Sequence, residues 1–153
     1  MLRHVLFIAA CLLWAGTALA ADVRPAPVDT PAECACTECG MTVTKQNTKF
    51  LSEIIVKGGR PGFFCDLGDM MVYYEVLKNK KTIQAIYVKD YASGAWLDGR
   101  AAYYLAGTNV ATPMRYGILA FKDRAGAERF KKEKGGDRVY TFDEIIAAEV
   151  YRR

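Results

Sequence analysis

Apolar and polar positions along the chain change period twice, in the same order each time. Phe50 to Val56 is a strand-length run of branched and aromatic residues, Lys57-Gly58-Gly59-Arg60 interrupts it with turn chemistry, and Pro61 to Cys65 returns as a second strand. The spacing then becomes helical. Met70, Tyr73, Tyr74 and Leu77 make one apolar face, Asp66 is placed to cap the helix, Asp69 sits in its first turn, and Lys78, Lys80 and Lys81 gather at its end. Ile83 to Val88 closes the unit as a third strand. The order recurs with a strand from Ala101 to Ala106, a loop from Gly107 to Arg115 and a strand from Tyr116 to Phe121. A helix from Asp123 to Lys134 ends at Gly135-Gly136, a strand spans Arg138 to Phe142, and a short terminal helix runs from Asp143 to Tyr151. Strand–strand–helix–strand occurs twice at a period of about 55 residues, the mark of a degenerate duplication. It predicts an α+β fold of two ββαβ units packed together, with halves at about 42–92 and 98–153.

The N-terminal residues follow neither period. In residues 1–20, Arg3 and His4 precede an apolar run from Val5 to Trp14, and Ala18-Leu19-Ala20 supplies the small residues of a cleavage site, so the segment reads as a removable export signal. Gly16 and Thr17 interrupt the run and a polar, proline-bearing stretch follows, which argues against a retained membrane helix. Ile8-Ala9-Ala10-Cys11 offers a competing lipoprotein site, in which Cys11 would be acylated and kept. Residues 21–33, with Pro25, Pro27 and Pro31, read as an extended tether to a folded domain at 34–153.

Export changes the composition that matters for chemistry. Cleavage after Ala20 removes His4, the one histidine, and leaves four of the five Cys and four of the five Met. Histidine-based acid–base catalysis, Ser-His or Cys-His nucleophiles and His-ligated metal sites are thereby excluded. The net charge falls by one, from +4 to +3, with Arg3, and the remaining Lys and Arg are scattered among acids, so no nucleic-acid partner is expected. The remaining length and its nine Tyr can bury a core, and one monomeric unit is expected.

The densest chemistry precedes the repeats, at Cys36-Thr37-Glu38-Cys39-Gly40-Met41. Two thiols in C-x-x-C can close on a metal or oxidise to a disulfide, and spacing alone does not choose. Met41 shifts the balance, because thiolate and thioether together select soft, monovalent copper, Cu(I). Cys34 and Cys65 add two further thiols, so two structural disulfides, or a Cys34–Cys65 bridge beside free Cys36 and Cys39, stand as alternatives. Met114 follows Pro113 in a loop unsuited to a core residue and is a candidate ligand; Met70 is another, although helical spacing puts at least one of Met70 and Met71 in the core. Trp96 reads as packing, and Lys131-Lys132 and Arg152-Arg153 as solvated faces.

Taken in order, Cys36-x-x-Cys39-Gly40-Met41, Phe63-Phe64 leading into Asp69-Met70, Tyr87-Val88-Lys89-Asp90-Tyr91, Pro113-Met114 and the late Gly-Gly resemble the NosL family over nearly the whole chain after the signal. The resemblance implies paired ββαβ units related to organomercurial lyase. It also implies an exported Cu(I) chaperone, often a lipoprotein, that serves assembly of the copper centres of nitrous oxide reductase. Cys36, Cys39 and Met41 match the family's metal-binding motif and Met114 its Pro-Met. The implied partner is that apo-enzyme or its membrane assembly machinery, the implied compartment the periplasm, and no catalytic residues are expected. This sequence departs from the family's pattern in Cys34 and in Cys65, which splits the usual Phe-Phe-Asp. The alternatives are a thiol–disulfide oxidoreductase using Cys36 and Cys39, copper delivery to a different cuproenzyme, organomercurial lyase chemistry by fold analogy alone, and a zinc ribbon, disfavoured for want of a second C-x-x-C.

Overall fold

Both predicted units are present in a computed structural model that describes residues 24–28, 34–43, 45–77 and 79–152. The export signal, Cys11 and residues 29–33 of the tether lie outside the described residues. A two-stranded ladder comes first, β1 (Cys34–Ala35) with β2 (Thr42–Val43). The first unit then runs β3 (Ser52–Val56), β4 (Gly62–Phe64), α1 (Leu67–Val76) and β5 (Ile83–Lys89). A short strand that the periodicity did not reveal, β6 (Trp96–Asp98), adds to the free side of β5, giving the antiparallel order β4-β3-β5-β6. The second unit is β7 (Tyr103–Ala106), β8 (Leu119–Phe121), α2 (Arg124–Lys134) and β9 (Arg138–Tyr140), ordered β8-β7-β9, followed by α3 (Phe142–Ala148). In each sheet the first strand is central, its hairpin partner lies on one side and the strand after the helix on the other, so the repeat holds at the level of topology.

Alternation along the strands decides what each face meets. In the first sheet Phe64, Ser52 and Val88 form one cross-strand row and Ile54 and Ile86 another, all buried on the side that receives α1. The opposite face presents the row Phe63–Glu53–Tyr87–Asp98 across four strands. The described part of the tether lies along that row. Arg24 pairs with Asp98, the Tyr87 hydroxyl donates to the Pro25 carbonyl (2.5 Å), and the Val28 N–H donates to the Glu53 carboxylate (3.1 Å to Oε2). Residues 24–28 are therefore docked on the sheet. The fully buried Glu53 carboxylate requires a donor, and Val28 supplies it.

The halves join at the end of β5. Asp90 makes a parallel bridge to Ala120 of β8, and the Tyr91 N–H donates to the Ala120 carbonyl at 2.8 Å. The Asp90 carboxylate accepts from Ser93 N–H and Oγ–H and from Lys122 N–H. Side chains complete the seam, with Tyr74 of α1 edge-on to Phe142 of α3 at 5.1 Å. The larger core, with Leu51, Phe64, Met70, Met71, Tyr104 and Tyr151, thus spans both units.

Candidate metal centre

The motif is held as a six-residue loop between β1 and β2. Gly40 takes φ +74°, the left-handed conformation that turns the chain back, and the Gly40 N–H donates to the Cys36 carbonyl at 2.9 Å. The Cys36 N–H donates to the Met41 carbonyl at 2.8 Å, and the Thr37 N–H pins the loop to β4 through the Phe63 carbonyl at 2.7 Å. β4 leads straight into Cys65 and the helix cap Asp66, so the loop is fastened over the N-terminus of α1.

That fastening assembles a cluster. Cys36, Cys39, Cys65 and Asp69 each bring one donor atom within 4.8 Å of all the others. Cys39 Sγ lies 3.5 Å from Cys65 Sγ, and Asp69 Oδ2 lies 3.3 Å from Cys36 Sγ and 3.5 Å from Cys65 Sγ. Cys36 and Cys65 are buried and Cys39 is exposed, so the cluster opens to solvent on the Cys39 side. All four described cysteines are free thiols, and Cys34, on β1, stands outside the cluster.

Four acidic groups this close cannot all ionise. The charge settles on Cys36, whose pKa falls to about 4 because the Cys65 thiol donates to it, against the opposing effect of burial. Cys65 is pushed up, first by holding that proton and then by burial, while burial raises Cys39 to about 11 and lifts the Asp69 carboxyl. Burial, and then the Cys36 charge, raise Cys34. A cation entering the cluster finds one thiolate ready and displaces protons from the others. Three sulfurs suit a soft ion, and Asp69, a hard donor, serves such an ion best by orienting Cys36 and Cys65.

The structure brings Cys36 and Cys39 together and adds Cys65 and Asp69, which were not nominated as ligands. A signal for both was present, because Cys65 and Asp69 are four apart across the predicted helix start and so share a face. Met41 follows the loop and is 40% exposed at its rim. Met114 comes from the other half. Its backbone N–H donates to Asp66 Oδ2 at 2.9 Å, while Asp66 Oδ1 caps α1 by accepting from Gly68 at 3.2 Å, so one buried carboxylate ties the Pro113-Met114 turn beside Cys65. Met70 and Met71 are both fully buried in the core, the role the helical spacing foresees for at least one of them.

A duplicated α+β scaffold with a thiol-rich pocket between an anchored loop and a buried helix end defines a small cysteine-rich protein with a potential metal site. The sequence model of NosL matches residues 27–150, and the chain belongs to the NosL family. The fold is similar to the crystal structure of the copper chaperone NosL from Shewanella denitrificans, at TM-score 0.69 and 24% identity over 82% of this chain and 98% of that one. The solution structure of apo-NosL from Achromobacter cycloclastes matches at TM-score 0.46 and 22% identity, over 61% of this chain and 83% of that one. No curated protein matches the chain significantly.

Proposed function

We propose that this protein is an exported carrier of Cu(I) that delivers copper for assembly of the copper centres of nitrous oxide reductase. The observation that carries the reading is the cluster of three thiols open at Cys39, with the exposed Met41 in the same loop and the Met114 backbone tied to Asp66, next to Cys65 in the chain. Thiolate and thioether without imidazole is a donor set that favours monovalent copper over zinc. Cys39 is exposed to solvent and its sulfur lies within the cluster, 3.5 Å from that of Cys65. A site that is open on one side exchanges its cargo with an incoming ligand faster than a closed cage, which suits a carrier.

The rest of the reading draws support from the sequence. The signal-like residues 1–20 support export to the periplasm, with Cys11 as the point of lipid attachment if it is retained, and the acceptor in this reading is the one that the resemblance to the NosL family implies, the apo-reductase or its membrane assembly machinery. The working unit is a monomer. Competition of the reduced protein with a Cu(I) chelator tests the site: Cys39→Ala and Met41→Ala should each weaken binding, and binding no tighter in the native protein than in either variant would remove the reading. Incubation of the copper-loaded protein with apo-nitrous oxide reductase should raise the enzyme's copper content. Transfer only to another cuproenzyme would reassign the acceptor.

A further inference from the structure

The thiols in the cluster are not equivalent, and the difference follows a division of labour. Cys39 is exposed at the tip of the loop, while Cys65 is fully buried at the foot of α1. Their sulfurs are 3.5 Å apart, close enough to bond after a small movement of a loop whose conformation turns on Gly40. The third sulfur is held differently. Cys36 is 3% exposed and its backbone is tied at both N–H and carbonyl within the loop. An incoming protein can reach Cys39 but not Cys65. Entry at Cys39 with resolution by Cys65 is the arrangement that thiol–disulfide exchange needs. It also differs from the pairing of Cys36 with Cys39 that C-x-x-C spacing brings to mind. The loop itself runs into a strand, but Cys65 directly precedes the cap of the ten-residue helix α1, so the helix N-terminus lies under the cluster.

We infer that Cys39 and Cys65 act as a dithiol that reduces a disulfide on the copper-receiving protein, and that closing the Cys39–Cys65 bond expels the copper in the same event. The inference rests on the copper-carrier reading for its second half. In the first step the exposed Cys39 thiol gives up its proton and its sulfur attacks one sulfur of the partner's disulfide. A mixed disulfide forms and the partner's other sulfur leaves as a thiolate. In the second step the Cys65 sulfur, giving up its proton, attacks Cys39 Sγ. The intramolecular disulfide forms and the partner's remaining sulfur leaves, so two electrons have passed from this protein to the partner. The partner ends with two free thiols, the form that binds copper, while this protein loses two of its three clustered thiols. The sulfurs lost to this donor and gained by the acceptor are thiols that ligate on losing their protons, so the two affinities change in opposite directions at one encounter, which gives the transfer its direction. The reaction is stoichiometric, and each further delivery requires a dithiol donor to restore the pair.

The test uses the full chain after signal removal, with glutathione disulfide as the stand-in for the partner's disulfide. Expected are two molecules of reduced glutathione released per chain, a Cys39–Cys65 bridge in the peptide map, and a Cu(I) affinity lower on the order of 100-fold after bridging, restored by a dithiol reductant. Cys65→Ser should stop at a glutathione adduct on Cys39 with one thiol released. Should that variant fail to fold, the wild-type peptide map decides alone. A Cys36–Cys39 bridge, no bridge at all, or undiminished Cu(I) affinity in the bridged protein would overturn the inference. If the reduced protein bound no Cu(I) yet bridged Cys39 to Cys65, the carrier reading would fall and the dithiol assignment would stand without its copper-expelling half.

Discussion

The two ββαβ units share a topology and use their helix N-termini in different ways. Each helix follows a hairpin and starts at an aspartate cap, Asp66 for α1 and Asp123 for α2, whose carboxylate accepts from a glycine N–H in the first turn. Around the first cap the chain is buried. Leu67, Gly68, Asp69, Met70 and Met71 are inaccessible, Cys65 lies just before them, and the ring of Tyr116 from the other half covers Gly68 so closely that a Cβ there would fall 2.0 Å from its Cγ. Around the second cap the sequence is Lys122-Asp123-Arg124, exposed throughout, and Ala127 is the one buried residue of α2. Duplication supplied two equivalent corners. Only the first carries thiols, since the second unit contains no cysteine, and burial there raises the proton affinity of Cys39 and Asp69, as the bond to Cys36 and then burial raise that of Cys65.

The widest separation between the corners is expected in the pH dependence of Cu(I) uptake. At neutral pH Cys39 and Cys65 hold their protons and Cys36 does not, so metal must displace protons from the first two. Affinity should fall as pH falls from 9 to 6, by about tenfold per unit for each of these thiols that ligates. Chelator competition across that range, with proton release followed in weak buffer, measures it, and a flat profile would mean that neither thiol binds. Removing the caps comes next. Asp66→Ala strands two N–H groups beside a buried seam and should cost about 3 kcal/mol in urea unfolding while weakening Cu(I) binding through Met114. Asp123→Ala should cost about 1 kcal/mol and leave copper binding unchanged. Equal costs would erase the distinction between the corners.

A smaller contrast is steric. Gly68→Ala must push Tyr116 and the turn behind it, at about 2 kcal/mol by thermal unfolding. Gly126→Ala meets only Asp123 Oδ1 at 3.3 Å and should stay within about 1 kcal/mol of zero, since alanine favours the helix. The smallest effect is expected at Cys34, whose thiol lies outside the cluster: Cys34→Ser should change Cu(I) affinity less than about threefold in the same chelator assay.

Much of the architecture could be read from order and period. The strand–turn–strand around Gly58-Gly59, the caps Asp66 and Asp123, the Gly135 stop and the repeat itself are local signals, written in neighbouring residues and in the spacing of apolar side chains. The motif and its likeness to one family were also on the surface of the sequence, as was the lack of histidine after the signal. Other features were not local. β6 is three residues long and exists because β5 had an open edge. Residues 24–28 are docked because a glutamate on β3 is buried and needs a donor. The cluster is the clearest case. Cys36-x-x-Cys39 and Cys65 lie 26 residues or more apart, and whether they meet depends on a loop pinned by Phe63 O to the strand that precedes Cys65. The choice among disulfide, metal and exchange could not be made from spacing, because it depends on which sulfur is exposed, which is buried and which two are closest. Residue types and their periods determined the units and the donor chemistry. Tertiary packing decided the partners, since desolvation and proximity belong to the assembled molecule and to no segment of it.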